Sequence, residues 1–229
     1  MQQLPLEVRL ADYALFETFC SGPNGAPVHA LAELARIDSV AVLWLWGPSQ
    51  AGKTHLLQAC VSAAHGKGYR VAYLPLGAES ELVPAAISGA GELDVVCVDD
   101  ADNIAGQPDW ERALFMLYEN TRQHGTRLVL SAQQAPLHCG FALPDLASRF
   151  SSGATFRLQE LTDDDKLKAM QLRANWRGLD LPDEVARYLF ARVDRRNSEL
   201  FALLDRLDRE ALAAQRKLTV PFVRSVIES

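Results

Sequence analysis

The stretch WGPSQAGKTHLL, residues 46–57, follows the apolar run AVLWLW and constrains the fold more than any other part of the chain. Its spacing, Gly47-x-x-x-x-Gly52-Lys53-Thr54, is that of a phosphate-binding loop. Such a loop works only between a buried strand and a helix. The glycines let the backbone turn until successive N–H groups converge on an anion, at the positive end of the helix that follows. Val40 to Trp46 lacks helical spacing and suits a buried strand. His55-Leu56-Leu57-Gln58-Ala59-Cys60-Val61 continues as a helix ending near Gly66. A Gly/Pro/Ser turn that happens to precede a lysine would share the letters but not this order of elements. The predicted nucleotide contacts are Gly47, Pro48, Ser49, Gln50, Ala51, Gly52, Lys53, Thr54 and His55. Lys53 would reach the β- and γ-phosphates, and the Thr54 hydroxyl would ligate Mg²⁺.

Downstream, strand-like runs alternate with helical patterns, as in a parallel α/β sheet. RVAYLP (70–75), DVVCV (94–98), RLVLSA (127–132) and ATFRL (154–158) join the run before the loop to give five strands. Pro108 to His124 reads as a helix with apolar Trp110, Leu114, Leu117 and Tyr118. The character changes at Leu161. Thr162-Asp163-Asp164-Asp165 is a capped helix start with acids at its positive end, running to about Arg177. Leu181-Pro182-Asp183-Glu184 begins a second helix, with proline in the first turn. A third spans about Glu199 to Lys217 on an apolar stripe of Leu200, Leu203, Leu204, Leu207 and Ala211, and a short fourth follows Pro221. The expected organisation is an N-terminal segment (1–12), an α/β nucleotide-binding domain (13–161) and a small helical lid (162–229).

Composition narrows the functional classes. With 229 residues, 48% hydrophobic and 23% charged, the chain is an ordinary globular one. A net charge of −6 argues against a broad basic surface, so little direct DNA binding is expected. No apolar segment reaches membrane-span length, and the N-terminus lacks a signal-peptide layout. Cys20, Cys60, Cys97 and Cys139 form no C-x-x-C pair and no zinc spacing. Free thiols and a cytoplasmic setting are the expectation.

Asp99 ends a buried strand about 45 residues after the loop. A carboxylate there can hold Mg²⁺ through water, and Asp100 sits where a base or water-positioning acid is found. Two solvated aspartates at a strand end are the bland alternative. Ser131, Gln133 and Gln134, in LVLSAQQAP, stand at another strand end, where a polar side chain could meet the γ-phosphate or its water. Arg149, in DLASRF, precedes the last strand; a lone arginine is more often a surface charge.

Taken as a set, GPSQAGKTHLL, VVCVDDAD, LVLSAQQAP and DLASRF, followed by a helical lid, resemble the AAA+ ATPases and, within them, the DnaA-type replication proteins. DnaA carries a long N-terminal region and a C-terminal helix-turn-helix domain, whereas this sequence stops at Ser229, just after the lid. It therefore looks like a stand-alone module of the Hda type, DnaA homologues that inactivate DnaA after initiation. LTVPFVRSVI and FALLDRLDRE are similar to that group. The resemblance implies ADP (or ATP) with Mg²⁺ as ligands, the nucleotide setting the module's conformation. It also implies a trans arginine finger at Arg149, acting on ATP held by a neighbouring DnaA. In GTPases such a finger is worth about 10³–10⁵ in rate. Phe16, Phe19 and Pro23 would lie near the adenine or simply in the core.

Beside that body, MQQLPLEVRL gains a meaning. Gln2-Gln3-Leu4-Pro5-Leu6 is similar to the glutamine-led, apolar-ended peptide with which many proteins bind the sliding clamp, and either glutamine could lead it. Leucines would fill an apolar pocket, the glutamine amide would hydrogen-bond, and proline would lower the ordering cost. The implied partners are the clamp, DnaA-ATP and further copies of the chain, in the bacterial replisome. Two departures stand out. The lid's expected sensor arginine falls on Ser198 in VDRRNSELFALL, unless the register shifts to Arg196, with Arg195 beside it. The sensor at the strand end is Gln133, which can hydrogen-bond but cannot act as a base. Intrinsic hydrolysis is expected to be slow or absent. The leading reading is a regulatory adaptor that stimulates hydrolysis in DnaA; the alternative is a self-contained DnaA-like ATPase acting as a loader or remodeller. A P-loop kinase would need an acceptor-substrate motif that the sequence lacks.

Overall fold

The computed structural model describes residues 14–35, 42–77, 82–192, 196–214 and 216–227. The proposed clamp-binding residues Gln2, Gln3, Leu4, Pro5 and Leu6 lie outside the described residues, as does Arg195. The chain divides into two compact units. One comprises 14–16 with Asn24–Gln159; the other comprises Glu17–Pro23 with the chain from Glu160 onward.

The first unit is built on five strands, β1 (Val42–Trp46), β2 (Val71–Pro75), β3 (Val95–Asp99), β4 (Arg127–Ala132) and β5 (Ala154–Arg157). They form one sheet in the order β2-β3-β4-β1-β5, with every pairing parallel. Helices α1 (Gly25–Leu34), α2 (Lys53–His65), α3 (Pro84–Ser88), α4 (Pro108–His124) and α5 (Pro144–Ser151) complete the unit. Strands β3 and β4 are buried at every position, as an apolar run without alternation requires. Because all strands run one way, the segments leaving β1, β3 and β4 emerge at the same edge of the sheet, where α/β folds bind ligands.

One side of the core is aromatic. Trp44 on β1 stacks on Phe150 of α5 with ring centroids 5.3 Å apart, and Tyr118 of α4 meets Phe150 edge-on at 5.8 Å. The Trp44 indole donates to the Gln134 carbonyl at 3.0 Å, so the largest buried ring also fixes the loop after β4. Such contacts join α4, α5 and β1 into one body.

The second unit holds α6 (Asp163–Trp176), α7 (Asp183–Phe190), α8 (Asn197–Ala214) and α9 (Val220–Ile227). Thr162 caps α6, its Oγ1 accepting the Asp165 N–H at 3.2 Å. Met170, Leu189, Leu200, Leu204, Leu207 and Val223 form the core. Arg173 of α6 and Arg177, the residue just past its end, both reach Asp205 on α8, at 3.2 and 2.7 Å. Two details differ from the sequence reading. Pro182 is the N-cap of α7 rather than part of its first turn. Helix α8 spans Asn197–Ala214 rather than about Glu199 to Lys217, and residues 216–219 are already outside helical geometry.

Candidate functional site

The loop between β1 and α2 has the backbone its sequence demands. A Cβ on Gly47 would stand 2.6 Å from the Leu158 carbonyl oxygen, so no larger residue fits where the loop crosses β5's end. Gly52 is left-handed (φ 96°) and caps α2 without any side-chain cap, which leaves the helix's first N–H groups to an outside acceptor. Among the described residues, two non-glycines have positive φ: Gln50 in this loop (64°) and Asp100 after β3 (56°). Strain of this kind costs about 1–2 kcal/mol per residue and collects at functional sites.

Lys53 lies 6% exposed, with Nζ donating to the carbonyls of Gly47 and Pro48 at 3.0 Å each. Burial lowers its pKa, and the charges of Asp100, Asp99 and Asp102 oppose that shift. Thr54 is exposed at the start of α2. A ring nitrogen of His55 pairs with the Leu15 carbonyl at 2.8 Å, tying residues 14–16 to the α2 helix and bringing half-buried Phe16 to that side. Phe19 and Pro23 belong to the other unit.

Asp99 closes β3 at 3% exposure, and both its carboxylate oxygens accept hydrogen bonds from neighbouring strands. Tyr73 of β2 donates to Oδ2 at 2.6 Å, and Ser131 of β4 donates to Oδ1. Ser131 Oγ in turn accepts the Asp100 N–H at 2.9 Å, which holds Asp100 in its left-handed turn. Burial and the adjacent Asp99 push the Tyr73 phenol pKa well above its usual range. The Asp100 carboxyl is also raised, first by burial and then by Asp99, against the pull of Lys53. Asp102 accepts the Gln133 N–H at 3.0 Å through Oδ2, while its buried Oδ1 has no hydrogen-bond partner. Gln133 and Gln134 have exposed side chains at this edge. Asp99, Asp100 and Asp102 thus face a single lysine, an excess of negative charge suited to a cation.

The residues present fit a nucleoside phosphate with its metal: an uncapped helix start, an ammonium inside the glycine loop, an exposed hydroxyl and a strand-end carboxylate. Among the described residues no cluster of three or more His, Cys, Asp or Glu could hold a metal by itself. A cation here would share its shell with phosphate oxygens and water, as Mg²⁺ does.

Arg149 stands apart from this cluster, on α5. Leu146 and Phe150 of that helix are wholly buried, whereas the Arg149 side chain is 32% exposed. Its guanidinium lies 2.5 Å from Glu119 Oε1, outside good hydrogen-bond geometry, and over the rings of Phe115 and Tyr118 at 4.9 and 5.4 Å. Arg196 lies in the helical unit, exposed and 3.5 Å from Glu199.

Sequence reasoning passed over Tyr73, Glu111 and Glu119. Glu111 is fully buried and accepts three backbone N–H groups, from Gly106 (2.6 Å), Ala142 (2.9 Å) and Leu143 (2.8 Å), which fastens the loops leading into α4 and α5. Its signal was available: Glu111 falls three residues before Leu114 and seven before Tyr118, on the helix's apolar stripe.

Residues 10–157 match the family model of the bacterial DnaA ATPase domain. The chain belongs to the bacterial DnaA ATPase-domain family. Residues 163–227 match the model of the Hda lid domain, which makes this an Hda-like, DnaA-homologous AAA+ protein. Among solved structures, domain III of the Thermotoga maritima initiator DnaA is similar at a TM-score of 0.78 and 21% identity, over 96% of this chain and 97% of that one. AMPPCP-bound DnaA from Aquifex aeolicus is similar at 0.71 and 21%, over 86% of this chain and 65% of that one. The Holliday junction branch migration motor RuvB of Thermotoga maritima follows at 0.61 and 20%, over 87% and 65%. At these identities the likeness is one of fold: a five-stranded parallel sheet with a C-terminal lid, in the AAA+ manner. No described helix is long and apolar enough to cross a membrane.

Proposed function

We propose that this DnaA-family protein is a nucleotide-bound regulatory adaptor in the bacterial cytoplasm, which binds the DNA-loaded sliding clamp and stimulates hydrolysis of ATP held by DnaA. The observation that carries the reading is Arg149: a cation on a rigidly anchored helix, one third in solvent, on an AAA+ body. A guanidinium presented this way can enter a neighbour's site and neutralise charge developing on a transferring phosphoryl group.

The chain's own site has a different task. ADP or ATP with Mg²⁺ would sit on the N–H groups from Gly47 to His55, with Lys53 at the phosphates and Thr54 and Asp99 towards the metal. Relatives of the same fold support this, the Aquifex aeolicus DnaA being one solved with AMPPCP. Bound nucleotide would hold the module in its competent shape. Asp100, with a raised pKa and Lys53 close enough to act on its charge, would orient a water. The absence of a base at Gln133 favours slow turnover. The Gln2–Leu6 segment would provide the tether to the clamp.

The test is an ATPase assay with DnaA, clamp and this protein, singly and together. Wild type should stimulate phosphate release only with all three present. Arg149→Ala should keep clamp binding and lose stimulation by about a thousandfold, the lower end of the finger effect. Gln3→Ala with Leu6→Ala should lose clamp binding. Normal stimulation by the Arg149 variant, or robust turnover by this protein alone, would overturn the adaptor reading in favour of a self-contained ATPase.

A further inference from the structure

The carboxylate of Asp99 occupies the place of the metal-side acid, yet it is already engaged by the protein. Three adjacent strands contribute to this. In the register of the sheet Pro75 lies beside Asp99 and Tyr73 beside Cys97, so Tyr73 and Asp99 project to one face. The Tyr73 ring lies along the strand with its hydroxyl 2.6 Å from Oδ2, and Gln58 of α2 hydrogen-bonds the same phenol. Ser131 takes the other oxygen from β4. Two hydroxyl donors therefore share the charge of one nearly solvent-free carboxylate. Hydrogen bonds to a charged acceptor are the stronger kind, and a cation or its bound water must compete with them for the same lone pairs.

We infer that Tyr73 is a positioning residue that keeps Asp99 turned into the sheet and so uncouples nucleotide binding from the divalent cation. The inference rests on the nucleotide-binding reading of the loop and adds to it the regulation of its metal. Phosphate grip then falls to the backbone N–H groups and Lys53, which need no metal. The cation is held loosely, as suits a nucleotide kept as a structural ligand rather than turned over. The same lock gives a physical reason for weak intrinsic hydrolysis that is independent of the sensor positions.

The readout is the ratio of mant-ADP dissociation constants in EDTA and in Mg²⁺, by fluorescence titration of the full chain. Wild type should give a ratio within about threefold of unity, since a carboxylate already paired adds little to the cation. Tyr73→Phe removes one hydroxyl and no ring volume; its ratio should rise about tenfold, equivalent to about 1.4 kcal/mol. Ser131→Ala, which frees the other oxygen, should move the ratio in the same direction. In an Asp99→Asn background Tyr73→Phe should change nothing, because the residue acts only through that carboxylate. An unchanged ratio in both single variants, or an equal rise in the Asp99→Asn background, would overturn the role of Tyr73 while leaving nucleotide binding intact. A wild type that binds mant-ADP in neither condition would overturn both readings together.

Discussion

Lys53 and Arg149 are two cations on one α/β unit, and the protein holds them in opposite ways. Lys53 is buried on two backbone carbonyls and faces three acids, in a loop where Gly47 admits no Cβ and Gly52 is left-handed. Arg149 keeps a third of its side chain in solvent and leans on one carboxylate and two ring faces. Burial outweighs attraction in the first cluster: it lowers the Lys53 pKa and raises that of Asp100 although the two attract each other. Such a cluster is over-determined and changes little unless a ligand enters it. The second is a half-buried ion pair whose Glu119 Oε1 makes no hydrogen bond, so the guanidinium is held by charge and ring faces alone and is open to exchange for another anion. The first arrangement suits retention of a ligand and the second suits delivery of a charge.

The largest effect should come from removing what fixes the delivering helix. Phe150 is wholly buried between Trp44, Tyr118 and Phe141. Phe150→Ala should cost about 3–5 kcal/mol of stability. At roughly 2–4 °C per kcal/mol, the melting temperature should drop by about 10 °C. Below that transition, stimulation of DnaA should be lost while nucleotide affinity stays within about threefold of wild type, as expected for separate sites. A parallel collapse of nucleotide affinity would show that the two cations share one support, and the contrast between them would fail.

The same contrast explains what the sequence disclosed. The strand, glycine loop and helix around Lys53 were legible because local rules write them. A glycine turn, a lysine at fixed spacing and apolar runs of strand length constrain residues 42–65 almost by themselves, and the β3 run ends at the acid it presents. The partners that tune that site were not legible. Tyr73 is one letter in RVAYLP, and its link to Asp99 exists only once β2, β3 and β4 lie side by side. Glu119 is likewise an ordinary polar residue on α4 until α5 packs against it. Arg149 lay between these cases: its proposed role came from family resemblance, and its exposure and its partners came from the fold.

Asp100 probes the retaining cluster at a smaller scale. Its folded pKa lies above the ordinary 3.8, so the folded state holds the proton more tightly than the unfolded chain does. The stability this provides is complete below about 3.8 and is lost as pH rises through the folded pKa. At neutral pH the ionised group therefore weighs against folding. Asp100→Asn should raise the melting temperature at pH 7.5 by roughly 2–3 °C, about 1 kcal/mol at most after allowance for solvent screening of a half-buried group. The gain should shrink towards zero as pH falls to about 4. Asparagine also tolerates the left-handed backbone at this position. A gain that persisted unchanged at low pH would attribute the effect to backbone preference and remove the electrostatic reading of the cluster.

The smallest effect concerns the release of Arg149. On the proposed role, Glu119 would give up the guanidinium to an incoming phosphate, and the two side chains are 33% and 32% exposed, so water reaches part of the pair. Glu119→Gln keeps the shape and removes the charge. The guanidinium loses about 0.2–1 kcal/mol of restraint, typical of exposed pairs. Its released population, and with it the stimulation of DnaA at subsaturating concentration, should rise about 1.5- to 5-fold. The ring faces of Phe115 and Tyr118 remain, so the arm keeps its direction while losing its clasp. Lower stimulation would instead make Glu119 a support that aims the finger, and Arg149 would then be built for retention much as Lys53 is.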